Sequence, residues 1–139
     1  MKISGFSFLV VLALAGCGAQ KPDADAIAPP SSGDISAKDA WSLCFTNRSN
    51  AAFVIIDVRT PEEYAGGHVE GATNLDFLAP DFDSRIRALD TNRTYFVYCH
   101  SGGRSADASS RMKAFGANAV YTLSGGLDSW EAEKLPLVK

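Results

Sequence analysis

Apolar residues fall into two kinds of grouping along this chain, unbroken runs and positions spaced at helical intervals. The runs "AAFVIIDV" (51–58), "TYFVYC" (94–99) and "NAVYTLSG" (118–125) predict strands buried on both faces. "ATNLDF" (72–77) predicts a shorter strand. Between the runs lie helical patterns. "ISAKDAWSLCF" (35–45) has Ser36 as N-cap, Asp39 at the third helical position, and Trp41, Leu43, Cys44 and Phe45 toward one side. Thr60-Pro61-Glu62-Glu63 supplies an N-cap, a proline at the first helical position and acids in the first turn, and Gly66-Gly67 ends that helix early. "DFDSRIRALD" (81–90) carries Phe82, Ile86 and Leu89 at helical spacing. "RSADASSRMKAFGA" (104–117) turns Ala106, Met112 and Phe115 inward and stops at Gly116, and "GLDSWEAEKLP" (126–136) closes the pattern. Strands alternating with helices predict an α/β fold: three layers, α/β/α, around a mostly parallel sheet.

The first residues do not fit that pattern. "MKISGFSFLVVLALAGC" (1–17) has a short basic start, an apolar run too short for a comfortable membrane span, and small residues before a cysteine. It reads as an export signal. Leu14-Ala15-Gly16-Cys17 resembles the bacterial lipobox, which implies lipidation of Cys17 and anchoring in the cell envelope. Gly18 stands where Asp would retain such a protein, so the periplasmic face of the outer membrane is expected in a host with two membranes. Residues 18–33, "GAQKPDADAIAPPSSG", hold Ile27 as their only large apolar side chain and are expected to form a flexible tether of roughly 20–25 Å. Residues 34–139 are then the folded domain.

Composition narrows the function classes. With 46% hydrophobic and 21% charged residues, the chain has ordinary globular character. Its net charge is −3, one unit more negative without Lys2, and it has no basic block. Nucleic acid is therefore not an expected partner. Beyond Cys17 only Cys44 and Cys99 remain, too few for a disulfide framework, and neither forms a C-x-x-C pair. The two histidines have no ligand-spaced companions, so no metal site is expected.

The chemistry concentrates in "YCHSGGRSAD" (98–107). Cys99 ends a buried strand; His100, Ser101, Gly102 and Gly103 form a short loop; Arg104 and Ser105 open a helix. If the loop curls around the sulfur, N–H groups from it and from the first helical turn point inward and favour an anion. The glycines permit a tight bowl, and Arg104 offers a planar fork to an anionic substrate. These features select Cys99 as a nucleophile over a buried apolar thiol. In parallel sheets ligands bind beyond the carboxyl ends of the strands, where Asp57-Val58-Arg59, the Cys99 loop and Ser124-Gly125-Gly126 should converge.

Three motifs in order, "DVRTPEEYAGGHVEGATNL" (57–75), "YCHSGGRS" (98–105) and "LSGGLDSW" (123–130), resemble the single-domain rhodanese-like proteins. The resemblance implies a sulfurtransferase without a cofactor. Cys99 would take the outer sulfur of thiosulfate or another donor as a persulfide and pass it to a thiol, cyanide or another acceptor. The amides of His100 to Ser105 would cradle the persulfide, and Arg104 would bind the donor. Asp57, Arg59 and Glu63 read as an ion-pair and capping set that fixes the neighbouring turn. His68 reads as structural, and His100 as a rim residue tuning the acceptor. Two rivals stand beside this reading. Phosphatases and arsenate reductases also surround an anion with cysteine and arginine, but in a C-x5-R loop, whereas Cys99 to Arg104 is C-x4-R. A non-catalytic rhodanese-like module is the other, although such modules typically lose the cysteine.

Overall fold

The computed structural model describes residues 32–139. The expected export segment, Cys17 and nearly all of the expected tether lie outside the described residues. Five strands form one sheet in the order β1-β5-β4-β2-β3: β1 (Gly33–Ile35), β2 (Phe53–Asp57), β3 (Thr73–Asn74), β4 (Thr94–Tyr98) and β5 (Ala119–Leu123). Every strand pairing in it is parallel. Helices α1 (Ala37–Asn47), α2 (Pro61–Gly66), α3 (Phe82–Arg87), α4 (Gly103–Ala114) and α5 (Gly126–Ala132) connect and flank the strands. This is the three-layer α/β/α architecture that the alternation predicts. Among the described residues, no helix is long and apolar enough to cross a membrane.

Side-chain alternation along β4 separates the two cores. Phe96 and Tyr98 join Ile35, Cys44, Leu127 and Trp130 on the face covered by α1 and α5. Tyr95, Val97 and Cys99 join Ile86, Ala108 and Met112 on the face covered by α3 and α4. Cys44 and Cys99 thus belong to different cores, and both are free thiols. Burial pushes the Cys44 thiol up to about 12, so it serves as a small apolar filler. Trp130 is fully buried, stacks edge-on against Trp41 at 5.9 Å, and donates from Nε1 to the Pro136 carbonyl. An edge-on aromatic pair of this kind stabilises by about 0.5–1.5 kcal/mol beyond its area.

Three details differ from the pattern-based expectation. Gly33, the last residue assigned to the tether, begins β1 and pairs with Tyr121. Phe45, expected on the apolar side of its helix, is 55% exposed, with the Arg48 guanidinium over its ring. In α4 the buried set is Ser105, Ala108, Ser109 and Met112, and Ala106 faces out. The helix is rotated so that Ser105 faces the Cys99 sulfur and Ser109 meets Thr122 of β5 at 2.8 Å. Two buried hydroxyls thus set a phase that apolar spacing alone would place differently.

Candidate active site

Cys99 follows the last residue of β4 and is 1% exposed. The chain then curls back over it. Gly102, at φ 107°, directs its N–H to the Cys99 sulfur at 3.1 Å and forms the N-cap of α4 without a capping side chain. Ser105 Oγ lies 3.3 Å from the same sulfur and 3.1 Å from the Gly102 carbonyl. A hydroxyl has one hydrogen for these two acceptors. With a neutral thiol, Cys99 can donate to Ser105 while Ser105 donates to Gly102; with a thiolate, Ser105 can turn its hydrogen to sulfur. The first-turn N–H groups of α4 have no partner within the helix and add their dipole at this end. His100, Ser101 and Gly103 form the exposed rim.

The loop is held from beneath by α5. Leu127 donates its N–H to the Cys99 carbonyl at 2.9 Å, and Asp128 donates to the His100 carbonyl at 3.1 Å. So close an approach requires glycine at 126, because a Cβ there would collide with the His100 carbonyl and lie 2.7 Å from the Cys99 oxygen. His100 Nε2 meets Asp128 Oδ1 at 3.3 Å, each side chain being 56% exposed. Sequence reasoning missed Asp128. It lies inside the third motif, whose aspartate could have been read as a partner for the loop.

The other predicted residues form two separate pairs. Asp57 and Arg59 are both buried; Arg59 Nη2 lies 2.7 Å from Asp57 Oδ2 and 2.7 Å from the Gly67 carbonyl. Burial works against the Arg59 cation, but the hydrogen bond and charge of Asp57 outweigh it and hold the guanidinium above its ordinary range. Asn74 completes the arrangement by donating to the backbone carbonyls of Asp57 and Arg59. Glu63 closes the capping box of α2 with Thr60, as its position predicts. It also reaches across to Arg104, Oε2 to Nη1 at 2.8 Å and Oε1 to Nη2 at 2.9 Å. This bidentate pair joins α2 to α4. The hydrogen bond from Arg104 leads the causes that hold the Glu63 carboxyl down at about 2, ahead of the Thr60 amide and the charge of Arg104; burial opposes them. His68 stacks on Tyr64 at 3.8 Å, and its Nδ1 lies 3.0 Å from the Tyr64 carbonyl. Its backbone bridges Val138, consistent with a structural role.

Topology brings these groups together. From neighbouring strands β2 and β4 the chain departs to α2, whose Tyr64 packs on one core, and to α4, which packs on the other. Parallel sheets open a crevice where adjacent connections diverge in this way. Asp57-Val58-Arg59 and the Cys99 loop border it, and Gly125 approaches Gly102 from the end of β5.

The family profile described as Rhodanese-like domain matches residues 36–133. Thiosulfate sulfurtransferase GlpE of Stutzerimonas stutzeri (strain A1501) is 38% identical over 82 residues, covering 58% of this chain and 72% of that protein. The protein of the same name from Ectopseudomonas mendocina (strain ymp) is 36% identical over 99 residues, 70% of this chain and 84% of its own length. Among solved structures, the rhodanese-related protein from Thermoplasma volcanium superposes with a TM-score of 0.62 at 28% identity, covering 76% of this chain and 96% of that one. The Rhodanese-like domain of an Anabaena sp. protein gives 0.63 at 26% identity over 76% of this chain and 77% of its own.

Proposed function

The chain belongs to the rhodanese-like domain family, and from that premise we propose that it is a sulfurtransferase carrying a sulfane sulfur on Cys99. The observation that carries this reading is the Cys99 sulfur itself, set at the floor of a loop with the Gly102 N–H directed at it. In the first half-reaction the Cys99 thiolate attacks the outer sulfur of a donor such as thiosulfate. The donor S–S bond breaks, sulfite leaves with the electron pair, and Cys99 holds a persulfide. In the second, a thiol-derived or cyanide nucleophile attacks the outer sulfur and the Cys99 thiolate leaves. The amides of His100 to Ser105 stabilise the negative charge that each step returns to the loop, and no cofactor takes part. The shared name of the GlpE relatives supports a sulfur-bearing anion as donor. Export and lipid anchoring through Cys17 complete the proposal. They rest on residues 1–17 and would present the domain at a membrane surface in the cell envelope.

Incubation of the purified domain with thiosulfate is expected to add one sulfur atom to Cys99, read from the intact mass and removed again by cyanide. Absence of the adduct on the wild type, or an equal adduct on Cys99→Ser, would overturn the assignment.

A further inference from the structure

The basic groups nearest the loop each face a carboxylate. Arg59 is locked against Asp57 within the core, His100 against Asp128 at the rim, and Arg104 against Glu63 across the crevice. Arg104 matters most, because it stands two residues beyond the Gly102 amide that touches the sulfur. Each of its two terminal nitrogens gives one hydrogen to Glu63, which offsets the charge while three N–H donors remain. A guanidinium so paired presents an anion with a nearly neutral unit.

Donors differ in how much they need that cation. Thiolate and thiosulfate together bring three negative charges, conserved as persulfide anion and sulfite. An alkyl persulfide in its protonated form brings none beyond the thiolate. The Cys99–sulfur bond forms, the donor S–S bond breaks, the proton stays on the transferred sulfur, and an alkyl thiolate leaves.

We propose that Glu63 is a donor-specificity residue: by clamping Arg104 it withholds the guanidinium from the reacting anion and biases Cys99 toward alkyl persulfides over the thiosulfate dianion. The inference rests on the sulfurtransferase reading and refines it. Glu63 touches neither donor and acts through Arg104, so it is a positioning residue. Its placement suits that role, since one carboxylate both caps α2 and fixes the side chain that opens α4. Glu63→Gln keeps a side chain able to close the capping box while removing the charge.

The test compares second-order rates of sulfur loading on Cys99 by thiosulfate and by hydroxyethyl persulfide, followed by intact mass. The wild type is expected to load faster from the persulfide. E63Q should raise the thiosulfate rate about tenfold, as an unpaired cation near a dianion implies, and leave the persulfide rate within about twofold. Glu62→Gln, an exposed change of equal charge on the same helix, should leave the ratio of the two rates unchanged. Arg104→Gln should move the ratio the opposite way, by at least about threefold, since it leaves Glu63 bare beside the loop. A purely structural role would slow both donors together. A ratio unmoved by E63Q, or moved equally by E62Q, overturns the inference. If E63Q fails to fold, an unchanged ratio in Arg104→Gln overturns it instead. Failure of both donors to load the folded wild type removes the sulfurtransferase reading and this inference with it.

Discussion

Gly126 shows how far the sulfur's surroundings depend on a side chain that is not there. It sits at φ 61°, and the carbonyls of Cys99 and His100 occupy the space a methyl group would need. Gly126→Ala should therefore push α5 away from the loop, lowering stability by about 2–4 kcal/mol and slowing sulfur loading. The midpoint of urea unfolding measures the first effect, and an unchanged midpoint would refute the close-approach account. At this scale the site was legible in part. Cys99, Gly102, Arg104 and Ser105 are consecutive or nearly so, and their local chemistry singled out the sulfur without knowledge of the fold. The partners of Arg104 and His100 were not legible. Glu63 lies 41 residues before Arg104, and only the adjacency of β2 and β4, from which α2 and α4 depart, brings the two together. The sequence reading gave Glu63 a capping role, which it has, and missed the second role because capping already accounted for it.

Elements were read best where two signals agreed. Apolar runs located β2, β4 and β5, and caps at Ser36 and Thr60 located the starts of α1 and α2. Strand β1 was missed because three residues led by a glycine have no pattern of their own; pairing with β5 makes them a strand. Helix α4 ends at Ala114 with Phe115 as its C-cap, just before the stop expected at Gly116, whose φ is 102°. The link between elements also titrates. The folded Glu63 carboxyl lies at about 2, below its ordinary 4.5, so its contribution is complete above about 4.5 and is lost as pH falls toward 2. The difference in melting temperature between wild type and E63Q should accordingly shrink as pH falls through that window. A difference constant from neutral pH to pH 2 would show that the pair does not couple α2 to α4.

For the whole molecule, the division of labour between the two cores keeps the thiols apart: Cys44 is filler in one, and Cys99 borders the other. On the proposed mechanism Cys99 would act alone, since among the described residues no second thiol lies in the same core to resolve a persulfide as an internal disulfide. Sulfur loaded as proposed would then leave on an external acceptor. If the domain is anchored as proposed, Cys17→Ala should move it from the membrane fraction to the soluble fraction in cell fractionation. Retention in the membrane would remove the lipid from the account.

The edge strand β1 carries a consequence of its own. It runs parallel to β5, with Gly33 beside Tyr121 and Ile35 beside Leu123, so the polypeptide arrives from the side where the strands begin. Cys99 lies where β4 ends. Gly33 stands level with Tyr121 and hence with Phe96, so entry and mouth are offset along the strand axis by three residues, about 10 Å. Under the proposed anchoring, the chain would join the domain short of the Cys99 loop, so the mouth need not face the surface that holds it.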